Sequence, residues 1–176
     1  MINTMRVKKR NGSYEDVSFD KISNRLKSLC VNPDLEFLDI DTSIIAQKIC
    51  GEIYDGVNTS ELDILSSEVA ISLYSQDIKY KKLANRIIIS NHHKNTDSKF
   101  SNVINDLYNH RDVHNTNIPI INEYLHNLVM ENIDLIDNKI DYNRDYLFDF
   151  FGFKTLEKSY LLKINGKIVE RPQHLL

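Results

Sequence analysis

The chain has 176 residues, 41% of them hydrophobic, and a formal net charge of −3, so it can bury a core as one domain or as two small ones. A pI near 6.1 argues against the broad basic face of a general nucleic-acid binder, and no apolar run is long enough for a signal or membrane segment, which gives a cytoplasmic expectation. Two cysteines, Cys30 and Cys50, exclude a disulfide framework and a four-ligand zinc ribbon and fit a reducing compartment as core thiols.

The positive charge is local. Residues 1–30 hold seven Lys/Arg against three Asp/Glu. Within them Asn11-Gly12 reads as a two-residue hairpin turn with both residues left-handed, joining strands over residues 6–10 and 13–17. Asp20 then opens a helix with Ile22, Leu26 and Leu29 on one face. The free N–H groups of its first turn attract anions, and Lys9, Arg10 and Lys21 add full positive charges, which outlines a pocket suited to a triphosphate. Charge pattern alone favours the plainer reading, a solvated hairpin with ordinary surface cations.

Further on, Asp41 or Thr42 caps a helix carrying Ile44, Ile45, Ile49 and Ile53, with Gly56 where that helix ends. Thr59 starts a third helix, with Leu62, Leu65, Val69 and Leu73 at spacings of three and four. A fourth, near residues 77–93, turns Tyr80, Leu83, Ala84, Ile87 and Ile88 inward. Thr59 and Asp63 lie one turn apart, so a hydroxyl and a carboxylate share a face, and Lys94 ends the fourth helix. The polar stretch 95–98 is a plausible boundary. Beyond it Phe100, Val103, Ile104, Leu107 and Tyr108 make another helical stripe. A loop over residues 110–117 follows, then a helix after Pro119 with Ile120, Ile121, Tyr124, Leu125 and Leu128. Aromatics at 142, 146, 148, 150, 151 and 153 read as packing that anchors a second hairpin, in which Asn165-Gly166 joins residues 160–164 to 167–170. Asp145, Arg144 and Lys154 read as surface or interface charges.

Other chemistry is not apparent. Five glycines, at 12, 51, 56, 152 and 166, cannot form a Walker A loop or a GxGxxG turn, so a nucleotide here is held by side chains and helix ends. His92 and His93 are adjacent on a helix and diverge by about 100°. His110 and His114 have no cysteine pair beside them, which disfavours a metal site. No catalytic nucleophile or acid/base pair stands out.

Two blocks carry a family resemblance. Val7-x-Lys9-Arg10-Asn11-Gly12-x-x-Glu15-x-Val17-x-Phe19-Asp20-Lys21-Ile22 resembles the start of an ATP-cone, a regulatory nucleotide-binding module. The run from Phe151-Gly152-Phe153-Lys154 to Asn165-Gly166-Lys167-Ile168-Val169-Glu170-Arg171-Pro172-Gln173-His174 resembles the lead-in to the catalytic barrel of the class I ribonucleoside-diphosphate reductase large subunit, eukaryotic and viral type. The fold so implied is mainly α. An ATP-cone over residues 1–95, a β-hairpin on a four-helix set, is followed by a helical segment over 96–176 whose own β-hairpin leads into an absent α/β barrel.

The resemblance further implies ATP or dATP as allosteric effector, with Mg2+, and no redox cofactor in this segment. It implies phosphate contacts from Lys9, Arg10, Thr59 and Lys94. Adenine is wrapped by Glu15, Asp16, Val17, Ser18, Phe19, Asp20 and Lys21, and Asp63 meets the ribose. The implied partners are a radical-generating small subunit and other large subunits, with no nucleic acid and no membrane. The family's catalytic cysteines lie downstream of Leu176, so this chain alone is expected to be inactive, as a fragment, split-gene product or intein-interrupted piece. The alternative is a stand-alone ATP-cone nucleotide sensor. ATP-cone repressors that bind DNA carry a zinc ribbon, for which this chain has no CxxC pair.

Overall fold

The computed structural model describes residues 5–175. Contacts divide the chain into two compact units, residues 1–91 and 92–176. Helices dominate both. Among the described residues no helix is long and apolar enough to cross a membrane.

In the first unit, strands β1 (Arg6–Lys8) and β2 (Tyr14–Asp16) form the antiparallel hairpin. Its turn differs from the sequence expectation. Only Gly12 is left-handed, at φ 84°. Lys9 O accepts from Gly12 N at 2.9 Å and Lys9 N donates to Ser13 O at 2.8 Å, which makes Arg10-Asn11-Gly12 a three-residue loop with a glycine bulge. The Asn11 carboxamide explains the change: its Oδ1 accepts from Ser13 N at 3.0 Å and Ser13 Oγ at 2.7 Å, and this local turn holds Asn11 at negative φ. Arg10 is thereby lifted out of the strand into the loop.

Helices α1 (Phe19–Cys30), α2 (Ser43–Glu52), α3 (Thr59–Ser72) and α4 (Ile78–Asn95) match the predicted four. Leu26, Leu29, Ile45, Ile49, Val69, Leu73, Tyr80, Leu83, Ala84, Ile87 and Ile88 are buried on the stripes the three-and-four spacing marks, while Ile22, Ile44, Leu62 and Leu65 are half-buried. Asp41 does cap α2, its Oδ1 accepting from Ser43 N at 2.8 Å. Gly56 does not end that helix. It lies four residues past Glu52 at φ 85° and donates its N–H to Arg6 O at 2.7 Å. The turn it makes launches an unpredicted strand, β3 (Val57–Asn58), which pairs in parallel with β1 through Val7↔Val57 and Lys8↔Asn58. The sheet order is β2-β1-β3.

Arg86 lies buried under the end of α1. It donates Nη1–H to Leu29 O at 2.9 Å and Cys30 O at 3.4 Å, carbonyls in the last turn of α1, opposing that helix's negative pole, and Nη2–H to Glu36 O in the loop that follows, at 2.5 Å. Burial pushes the neighbouring Cys30 thiol up, with Arg86 acting the other way. Cys30 is therefore a core thiol.

The second unit contains α5 (Phe100–Tyr108), α6 (Glu123–Glu131), α7 (Ile133–Asp137), a 3-10 turn (Tyr142–Leu147), α8 (Phe150–Ser159) and the hairpin β4 (Lys163–Ile164) and β5 (Lys167–Ile168). Val103, Ile104, Leu107 and Val129 form a core against which Leu125, Ile136, Leu162, Ile164 and Val169 pack. Helix α6 starts later than the sequence suggests because Asn122 caps it, accepting from Leu125 N at 2.8 Å. This shift leaves Ile120, Tyr124 and Leu128 exposed and makes Val129 the buried residue. At the second hairpin Asn165 (φ 50°) and Gly166 (φ 77°) are both left-handed, the two-residue turn the sequence predicts.

Asp145 is not a surface charge: it is fully buried, accepting from His93 Nε2 at 2.6 Å and Gln173 N at 3.1 Å. A carboxylate is tolerated there because its oxygens are hydrogen-bonded and Arg171 is close. Of the aromatic run, Phe150 and Phe153 are buried and Phe151 is exposed. Tyr142 instead stacks under the Arg171 guanidinium at 4.5 Å.

Candidate functional site

The parallel pairing of β3 with β1 builds the site. Because Asn58 sits opposite Lys8 and α3 begins at the next residue, the hairpin loop is set beside the N-terminus of a 14-residue helix. The open cleft between them, about 640 Å³, is lined by Lys8, Lys9, Arg10, Asn11, Gly12, Asn58, Thr59, Ser60 and Glu61. The positive end of the α3 dipole and three cations on one cleft attract a polyanion. Glu61 faces inward for a local reason: it accepts from Asn58 N at 3.2 Å and Tyr54 Oη at 2.8 Å, and the Asn58 and Tyr54 hydrogen bonds hold its carboxyl below the usual range.

Arg10 spans the floor. Its guanidinium donates to Thr59 Oγ1 at 3.4 Å, Asp63 Oδ2 at 3.4 Å and Asn91 Oδ1 at 2.5 Å, and Ser60 Oγ also donates to Asn91 Oδ1, at 3.0 Å. Asp63, 7% exposed, is gripped from its other side by Arg25, with Nε to Oδ1 at 3.3 Å and Nη2 to Oδ2 at 3.5 Å. Arg25 is itself held by Ser90 Oγ at 2.9 Å. A second ion cluster lies at the hairpin, where Glu15 pairs with both Lys9 and Lys21.

Of the residues singled out in the sequence, the fold thus joins Arg10, Thr59 and Asp63 in one group and Lys9, Glu15 and Lys21 in another. Asp16 closes β2 and is exposed, Val17 N donates to Met5 O at 2.9 Å, Ser18 precedes α1, and Phe19 and Asp20 occupy its first turn, exposed. Lys94 is exposed in the last turn of α4. Arg25, Ser60, Ser90 and Asn91 were not singled out. Arg25 had a detectable signal, since it follows Lys21 by four residues on α1 and shares its face. Ser90 and Asn91 had none, because their role depends on where α4 lies in space.

Residues 5–95 match the family model described as the ATP cone domain, and the chain belongs to that family. Over 173 residues, 98% of this chain, it is 45% identical to the ribonucleoside-diphosphate reductase large subunit of Arabidopsis thaliana. It is 48% identical over the same length to that of Monkeypox virus and 42% identical to the large chain of Schizosaccharomyces pombe. The chain spans about a fifth of the length of these curated relatives, 21%, 22% and 21% respectively.

Proposed function

We propose that this chain is the effector-sensing portion of a ribonucleoside-diphosphate reductase large subunit, binding ATP or dATP in the cleft between the first hairpin and α3. One observation carries the reading most strongly: Lys8, Lys9 and Arg10 line one cleft with the N-terminus of α3, and Arg10 reaches both the Thr59 hydroxyl and the Asp63 carboxylate. Lys9 and Arg10 hold the triphosphate with the α3 N–H groups and Thr59. Lys94, three residues beyond Asn91 on α4 and so on the same helix face, adds a further phosphate cation. Glu15, Asp16, Val17, Ser18, Phe19, Asp20 and Lys21 enclose the base. Asp63 accepts a hydrogen bond from a ribose hydroxyl, a contact a 2′-deoxyribose lacks at one position. Mg2+ accompanies the triphosphate, neutralising its charge.

Reduction of ribonucleotides belongs in this proposal to the longer protein, working in the cytoplasm with a small radical-generating subunit and further large subunits, and this portion sets how active that assembly is. Calorimetric titration of ATP and dATP into the purified chain tests the site. Saturable binding is expected, and Lys9→Ala and Arg10→Ala should each weaken it by about ten- to a hundredfold, the worth of a charge-assisted hydrogen bond of ~1.5–3 kcal/mol. No binding at millimolar nucleotide would remove the proposal.

A further inference from the structure

Resting on that reading, we propose that Arg25 is the positioning residue that lets the site tell ribose from deoxyribose, while contributing little to the grip on phosphate. The two arginines on Asp63 are not equivalent. Arg10 sits in the hairpin loop, lines the cleft and divides its donors among Thr59, Asp63 and Asn91. A triphosphate in the cleft competes for those donors. Arg25 comes from α1, lies like Asp63 itself behind the residues that line the cleft, and meets both Asp63 oxygens while Ser90 Oγ anchors it. Its fork geometry fixes the plane of the carboxylate as well as compensating its charge. When Arg10 turns toward phosphate, Arg25 remains to aim Asp63 at the sugar. Asp63 is the fifth residue of α3, beyond its first turn, so the helix end does not do this for it.

Equilibrium dialysis of the full chain with ATP, dATP and inorganic tripolyphosphate tests the inference. For Arg25→Gln the ATP-to-dATP affinity ratio should fall about three- to tenfold, in the direction of Asp63→Asn, with tripolyphosphate affinity unchanged within about twofold. Arg25→Lys, which keeps the charge and loses the fork, should fall between Arg25→Gln and wild type. Ser90→Ala removes only the anchor, and should move the ratio the same way by a smaller factor, which keeps the test decisive if Arg25→Gln does not fold. An unchanged ratio in the folded variants, or tripolyphosphate binding that weakens in step with both nucleotides, overturns the inference. Wild-type chain that binds neither nucleotide overturns the underlying reading instead.

Discussion

His174 stays neutral in the folded chain well below the usual imidazole range. Its Nδ1 accepts from Arg171 N at 3.1 Å, so in the neutral ring Nε2 carries the hydrogen and donates it to Tyr142 Oη at 2.8 Å. A proton on Nδ1 would break the first of these bonds. Burial, and then the Arg171 charge, bring the pKa down to about 4, while burial pushes Tyr142 up to about 12. His92, whose ring donates to Glu170 O at 2.8 Å, is lowered by burial in the same sense. Between pH ~6.5 and ~4 the unfolded chain therefore binds protons that the folded chain refuses, and stability falls as pH drops through that window, by up to about 3 kcal/mol for His174. Urea titrations at pH 7 and pH 4.5 check this. His174→Gln should flatten the slope.

Helices α1 to α6 were the legible elements, because their apolar residues recur at three and four and some of their starts carry a capping side chain, as Glu61 on Asn58 N and Asn122 on Leu125 N show, whereas α7 and α8 were not read as helices. Strand β3 was not legible. Two residues, Val57 and Asn58, are too few to show alternation, and their pairing with β1 is set by a partner some 50 residues away. The candidate site inherits that limit: Lys9, Arg10, Thr59 and Asp63 could be named, but the strand that brings them together could not. Asp145 was missed for a related reason, since a lone acidic residue in a 3-10 turn looks solvated until His93 and the backbone of Gln173 are placed around it. At the level of one helix end, Arg86→Met keeps the buried stem but removes the donor to Leu29 O at the end of α1 and to Glu36 O in the loop after it. Leaving those acceptors unmet should cost about 2–4 kcal/mol in chemical denaturation, far more than Lys82→Met, which removes an exposed ion pair with Glu36.

Across the whole molecule, the asymmetry of charge seen in the sequence becomes an asymmetry of surface, with cations gathered at one cleft of the first unit while the chain as a whole stays acidic. The anchored loop at that cleft should also show in how the chain is digested. Among 22 Lys/Arg, the consecutive Lys8-Lys9-Arg10 would ordinarily be the readiest place for trypsin to cut. Trypsin must swallow the whole arginine side chain, and here Arg10 is bonded to Thr59, Asp63 and Asn91 while the loop backbone is closed by Lys9 and Ser13. Cleavage after Arg10 should thus lag behind cleavage after the exposed Lys139, and lag further as a triphosphate fills the cleft, giving a mass-spectrometric clock of occupancy that requires no label.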